Sequence, residues 1–131
     1  MKTFKFVYDP ECSAKNSLKK MKEVILTGVP YVEEDQMRSP SFGALLSVAT
    51  EGRLEMFKVI HDKSPGSLYE LSQLMNKDLG YISKEVRVLE SIGLIELVKD
   101  SSGVREKIKP VAQYDRIVLD FDLALGQASN L

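Results

Sequence analysis

The sequence has one cysteine and one histidine, and it has no long apolar run. Because Cys12 is alone, the chain can form neither an internal disulfide nor a multi-cysteine zinc site, which fits a reducing compartment. Cys12 is expected to be a partly buried small residue rather than a reactive thiol. The apolar runs are too short for a signal peptide or a membrane span. We therefore expect a soluble, cytoplasmic protein.

A catalytic constellation is also lacking. His61 has no cysteine or histidine partner at metal-ligand spacing, and no glycine loop of the phosphate-binding kind occurs. Asp115, Asp120 and Asp122 could suggest a metal, but two of them alternate along a predicted strand and fit its polar side. His61 is expected at the end of a helix, where a cation suits the carbonyl groups. The sequence thus predicts no enzyme, no cofactor and no metal site.

The charge balance lacks a basic excess. Lysine and arginine number 18 against 19 acidic residues, giving a net charge of −1. This balance counts moderately against nucleic-acid binding. Phosphate responds to the local field of one face, however, and a chain can hold a basic face while its acids lie elsewhere.

A length of 131 residues predicts one domain, or one domain with a structured extension. The stretch "TFKFVY" alternates as a strand does, and it is followed by a helical stripe and an acidic, proline-containing connection. The stripe consists of Ala14, Leu18, Met21 and Ile25 and ends near Gly28. We interpret residues 1–40 as an N-terminal strand-helix extension that serves dimerisation or partner contact.

Residues 41–123 show regular helix signals. Ser39-Pro40 suits a helix cap with proline in the first turn, and Ser67 with Glu70 forms a capping box. The buried sides of the first three helices are predicted at Phe42, Leu45, Leu46 and Ala49, then at Leu54, Phe57 and Ile60, and then at Leu68, Leu71 and Leu74 or Met75. Asp78 is a plausible cap for the helix that follows.

That helix carries one apolar stripe and ends in a hairpin. Its stripe is Ile82, Val86, Leu89 and Ile92, and Gly93 can adopt the left-handed conformation that ends it. The runs "LIELVK" and "VREKIKPV" flank the turn sequence "DSSG". A last strand around Ile117 to Leu123 could pair with "TFKFVY", and residues 124–131 form a tail. The predicted fold class is α+β, mainly α.

Three helices in succession, the last of them leading directly into a β-hairpin, is the element order of a winged helix-turn-helix. In that arrangement the third helix enters the major groove and the hairpin reaches the neighbouring backbone. The candidate DNA-binding residues are Ser67, Tyr81, Ser83, Lys84, Arg87, Lys99, Arg105 and Lys107. Arg87 could contact guanine through two hydrogen bonds, which is worth about 1–3 kcal/mol of base discrimination. The alternative is an ordinary solvated helix face, and Glu85 and Glu90 near the same surface would repel phosphate.

The run "SLYELSQLMNKDLGYISKEVRVLESIGLIEL" resembles the MarR-like and ArsR-like winged-helix transcriptional regulators. The positions that match the family pattern are Ser83, Val86, Leu89, Gly93, Leu94 and Ile95. The segments "GRLEMFKVI" and "KIKPVAQYDRIVLDFDL" are similar to a smaller group of predicted MarR-like regulators. Members of that group are often antitoxins of the TumA type that repress their own operon, so the resemblance implies a repressor and suggests a toxin partner.

Two functions remain open at this point. The first is a homodimeric DNA-binding repressor, in which the strands "TFKFVY" and "RIVLDFDL" expose edges for a dimer contact, or else serve core packing alone. Its two recognition helices would lie about 34 Å apart and read an inverted repeat. The second is a winged-helix module that neutralises a partner protein. The basic surface of that protein would face the acids of residues 33–35 with Asp115, Asp120 and Asp122, or else these acids are simply solvated. Methionines 21, 37, 56 and 75 could line an effector site or fill the core.

Overall fold

The computed structural model of the protein describes residues 1–10, 32–33 and 35–123. The described elements are β1 (Thr3–Tyr8), β2 (Val32–Glu33), β3 (Gln36–Ser39), α1 (Phe42–Val48), α2 (Glu51–Lys63), α3 (Leu68–Met75), α4 (Leu79–Ser91), β4 (Ile95–Asp100), β5 (Lys107–Ala112) and β6 (Arg116–Asp120). The α+β class is confirmed. The predicted helix around residues 14–28, Cys12 and the tail of residues 124–131 lie outside the described residues. None of the four described helices combines the length and hydropathy that crossing a bilayer requires.

The chain divides into two compact units. The first consists of Met1–Lys2 and Glu51–Asp115, and the second contains β1, β2, β3, α1 and β6. α1 and β6 belong to the predicted segment 41–123, but both lie in the same unit as β1. All eight candidate DNA-binding residues lie in the first unit.

The core of the first unit forms around one face of α4. Ile82, Val86, Leu89 and Ile92 expose at most 1% of their surface, so the predicted stripe is confirmed. The same unit buries Met56, Phe57, Ile60, Leu71 and Leu94. Burying a side chain of this size contributes about 1.5–3 kcal/mol, and a stripe of four therefore holds α4 in one orientation.

The ends of α3 and α4 follow from local chemistry. The Ser67 hydroxyl accepts a hydrogen bond from the Glu70 N–H at 3.0 Å, and the Glu70 carboxylate accepts one from the Gly66 N–H at 2.9 Å. The carboxylate thus reaches one residue further back than in a regular capping box. Asp78 accepts from the N–H groups of Gly80 and Tyr81, as expected for a cap.

The chain leaves α4 through a left-handed glycine. Gly93 has φ of +89°, and its N–H donates to the Glu90 carbonyl while the Leu94 N–H donates to the Leu89 carbonyl. This conformation favours glycine because it carries no Cβ. β4 begins two residues later, one residue after the start of the predicted run "LIELVK". It pairs antiparallel with β5 from Ile95 opposite Ala112 to Asp100 opposite Lys107. The hairpin therefore follows α4 directly in the chain.

The second unit is a sheet with the order β2-β3-β1-β6. β1 lies parallel to both β3 and β6, which confirms the predicted pairing of the last strand with "TFKFVY". Both edges of β1 are paired within the chain, because β1 lies between β3 and β6, and Phe4 and Phe6 are fully buried.

The start of α1 also differs from the prediction. Ser39 ends β3 and is buried, whereas the helix begins after Ser41, whose hydroxyl accepts from the Ala44 N–H at 3.3 Å. Two residues of the predicted buried side are exposed, Phe42 at 44% and Leu46 at 52%. Phe42 stacks on Tyr8 with ring centroids 4.1 Å apart, so it covers the end of β1 rather than entering the core.

Candidate nucleic-acid interface

The face of α4 opposite its buried stripe carries two exposed cations. Lys84 and Arg87 are exposed, and Ser83 between the buried and exposed sides is half-buried. Within the described residues 1–10, 32–33 and 35–123, neither Lys84 nor Arg87 forms an ion pair with an acidic side chain. Both cations are therefore available to an anionic partner.

Tyr81 is only partly directed to solvent. Its side chain is 41% exposed, and its hydroxyl lies 3.5 Å from the place where a Cβ on Gly52 would stand. The Lys77 ammonium sits over its ring, 5.9 Å from the centroid. Tyr81 thus extends from the start of α4 towards the first turn of α2, and it is partly exposed with the Lys77 ammonium nearby.

The β4–β5 hairpin carries the remaining candidate cations. Lys99, Arg105 and Lys107 are all exposed. Lys99 lies 3.7 Å from Glu106 across the hairpin, an exposed ion pair that is worth at most about 1 kcal/mol. Such a weak pair opens readily when a phosphate competes for the ammonium group.

An open cleft of about 560 Å³ separates α4 from the hairpin. Arg87 and Glu90 line the helix side, Lys99 and Glu106 line the hairpin side, and Val86 and Leu97 supply apolar surface. The structure thereby brings two of the predicted residues, Arg87 and Lys99, to one site. Ser67 caps α3 beside Leu68, which also borders the cleft.

The other candidates are less closely grouped. Tyr81, Ser83, Lys84, Arg105 and Lys107 do not line the cleft. Glu106, which does, was missed by sequence reasoning, because only the folded hairpin brings it within 3.7 Å of Lys99. With Glu90 it balances the two cations, so the cleft itself has no net charge.

Glu85 does not lie on the exposed face. Its carboxylate accepts a hydrogen bond from Arg53 Nε at 2.6 Å, and only 9% of the residue is exposed. Glu85 precedes Val86 and follows Ile82 by three residues, so it lies at the border of the buried stripe, and Arg53 on α2 meets it there. The expectation that Glu85 repels phosphate is therefore wrong, whereas Glu90 is exposed.

His61 lies near the end of α2, as predicted, between two carboxylates. Its Nδ1 is 2.9 Å from Asp62 and its Nε2 is 3.0 Å from Asp115. The hydrogen bonds to Asp62 and then Asp115 raise the pKa of His61 above its ordinary value. Both ring nitrogens are thus occupied. No group of three histidine, cysteine or acidic residues suited to a metal ion occurs among residues 1–10, 32–33 and 35–123.

Comparison with known proteins relates the chain to one family. Neither curated proteins nor solved structures gave a match. The sequence pattern of the HVO_A0114 family matches residues 48–119, which include α2, α3, α4, the hairpin and nearly all of β6. The match covers more than half of the 131 residues and includes every candidate residue described above. The chain belongs to the HVO_A0114 family.

Proposed function

We propose that this protein is a sequence-specific DNA-binding transcriptional regulator of the winged helix-turn-helix kind. In this proposal α4 is the recognition helix and the β4–β5 hairpin is the wing. The observation that carries it is the pair of exposed cations, Arg87 on α4 and Lys99 on the hairpin, that line opposite sides of one cleft.

The buried stripe supports this role because it fixes which side of α4 is free. An α-helix fits the major groove of B-DNA, and only the side away from the core can reach base edges. On α4 that side carries Lys84 and Arg87. Arginine can donate two hydrogen bonds to guanine, while a lysine on phosphate adds affinity without sequence information. We therefore assign base recognition to Arg87 and backbone contact to Lys84.

The hairpin supplies a second group of cations, at a different distance from the axis of the bound duplex than the cations of α4. Lys99, Arg105 and Lys107 are exposed on it. A phosphate backbone that follows the groove edge would meet these residues while α4 occupies the groove. Contacts from two elements fix the orientation of the duplex, which a single charged helix does not.

The regulator is expected to act as a homodimeric repressor of its own operon, and an adjacent toxin gene would make it an antitoxin. The two-fold dimer would bind an inverted repeat with half-sites about one helical turn apart. The resemblance of "LESIGLIEL" and its surroundings to MarR-like regulators supports this part of the proposal.

The test is a selection of bound duplexes from a random-sequence pool, followed by fluorescence anisotropy with the selected duplex. We expect the logarithm of the binding constant to fall with the logarithm of salt concentration by about 0.9 per phosphate contact. Arg87→Ala should remove the preference for one base pair, and Lys107→Ala should weaken all duplexes equally and reduce the salt slope by about 1.

A matched control is Lys58→Ala, which removes an exposed cation of α2 that pairs with Asp62. This variant should bind as the wild type does. Selection of no sequence, or equal losses in Arg87→Ala and Lys58→Ala, would contradict the proposal.

A second candidate function is binding of a partner protein with little DNA binding. Glu90 and Glu106 favour it, because they leave the cleft without net charge although two cations line it. A mixed-charge cleft with apolar walls suits a polypeptide better than a polyphosphate. Co-purification of a co-encoded protein, combined with no retardation of any selected duplex, would favour this function over the first.

A further inference from the structure

Strand β6 carries opposite charges at its two ends. Its sequence is Arg-Ile-Val-Leu-Asp, with Arg116 first, Asp120 last and three apolar residues between them. In an antiparallel pair of identical strands centred on Val118, Arg116 lies opposite Asp120 of the partner subunit at both ends. Opposite charges directly across a strand pair stabilise it, and like charges destabilise it. The strand is thus complementary to a second copy of itself.

One side of β6 is not paired within the described sheet. The strand order β2-β3-β1-β6 places β1 on one side of β6, and no described strand lies on the other. Such an edge presents backbone N–H and C=O groups that another strand can pair with. In the same described part of the chain, neither Arg116 nor Asp120 forms an ion pair.

The apolar face of the sheet becomes exposed at this edge. Ile117 and Leu119 lie beside Phe4 and Phe6 of β1, on the same face. Phe4 and Phe6 are fully buried, whereas Leu119 is 42% exposed. In the register centred on Val118, Ile117 lies opposite Leu119 of the partner subunit, so the apolar face would continue across the two copies.

Within β6, other registers lose this match. Centring the pair on Leu119 places Val118 opposite a carboxylate and sets Arg116 against Asp122, which lies beyond the end of β6. Centring it on Ile117 places Val118 opposite Arg116. A shift of the strand pairing by one residue is excluded. It would place the apolar faces of the two copies on opposite sides of the joined sheet. Charges on an edge strand can also serve to prevent pairing. These two charges attract each other in an antiparallel copy centred on Val118, which favours pairing instead.

We propose that two copies of this protein associate through antiparallel β6–β6 pairing centred on Val118, which joins their sheets about a two-fold axis. The interface is isologous, because the same strand edge is used by both copies. This inference rests on the homodimer part of the proposed function and specifies its surface and register. It does not depend on DNA binding.

The first test measures the mass of the full-length protein by sedimentation velocity without DNA. The wild type should be a dimer. Arg116→Asp places two acids opposite each other and Asp120→Arg places two arginines opposite each other, so each should shift the protein to monomer. The double variant Arg116→Asp/Asp120→Arg restores opposite charges and should restore the dimer. A double variant that stays monomeric, or a monomeric wild type, would overturn the proposal.

The second test fixes the register by cross-linking. In a Cys12→Ser background, Val118→Cys places two thiols opposite each other at about 4.5–5.5 Å between Cβ atoms, and Leu119→Cys places them diagonally at about 7–8 Å. We expect a covalent dimer after mild oxidation for position 118 and little for position 119. The reverse pattern would refute the register. A dimer that selects no duplex would refute DNA binding alone, and a monomer that binds a selected duplex would refute the pairing alone.

Discussion

The Arg53–Glu85 ion pair provides the sharpest test of how α4 is held. Arg53 Nε and the Glu85 carboxylate are 2.6 Å apart, and their side chains are 19% and 11% exposed. We predict that Glu85→Ala lowers the free energy of unfolding, because it removes the carboxylate that accepts from Arg53 Nε in a largely buried contact between α2 and α4.

The burial of the pair sets the magnitude. Removing one partner of a fully buried pair costs about 3–5 kcal/mol, and exposed pairs are worth about 0–1 kcal/mol. With exposures of 19% and 11%, this pair lies nearer the buried limit, and we expect a loss of about 2 kcal/mol. Glu90→Ala, five residues later on the exposed side of the same helix, should change stability by less than about 0.5 kcal/mol.

Urea denaturation followed by circular dichroism measures both variants. Arg53→Ala and the double variant complete a cycle that isolates the interaction of the two side chains. We expect the double variant to lose less stability than the sum of the single variants. Equal losses in Glu85→Ala and Glu90→Ala, or strict additivity in the cycle, would refute the assignment of Glu85 to the α2–α4 contact.

Three further predictions concern the turn, the histidine and the cleft. Gly93→Ala should destabilise the protein by about 1–2 kcal/mol in urea denaturation because φ is +89°. Gly103→Ala should be nearly neutral, because φ is not positive there and an added Cβ would lie 3.9 Å from the Arg105 carbonyl oxygen, an ordinary contact. The single histidine resonance in proton NMR should titrate with a pKa above 6.5, and Asp115→Asn should lower that pKa. The pKa of His61 is raised in the folded protein. The stabilisation by His61 is therefore present below pH 6.5 and is lost as the pH rises through the raised pKa. His61→Gln should accordingly cost less stability in alkaline than in mildly acidic buffer. Glu90→Gln should strengthen binding of the selected duplex by about twofold, because it removes one negative charge about 8 Å from a DNA phosphate in water. An unchanged affinity would mean that Glu90 lies away from the DNA backbone.

Local patterns in the sequence were sufficient for the buried face of α4 and for the hairpin that follows it. The spacing of Ile82, Val86, Leu89 and Ile92 identified the buried face of α4, and a single glycine with turn residues identified the hairpin. These features depend on neighbours within a few positions, so helical periodicity and turn chemistry determine them. The grouping of Arg87 with Lys99 followed from the order of helix and hairpin.

Features that depend on distant residues were not predictable in the same way. Arg53, the partner of Glu85, lies 32 residues earlier in the sequence. Nothing in the spacing of residues along α4 shows that Glu85, rather than Glu90, meets this arginine. Ser39 precedes a proline and looks like a cap, but pairing of β3 with β1 takes Ser39 into the sheet and leaves Ser41 to cap α1. Strand pairing across the chain overrode a local signal there.

The most direct test of the central claim maps the contact surface of the folded protein. The selected duplex is titrated into ¹⁵N-labelled protein, and the amide shifts are followed by NMR. The account predicts shifts concentrated at α4 around Lys84 and Arg87 and on the hairpin around Lys99 and Lys107. Shifts confined to α2, or a duplex that leaves α4 and the hairpin unperturbed, would contradict it.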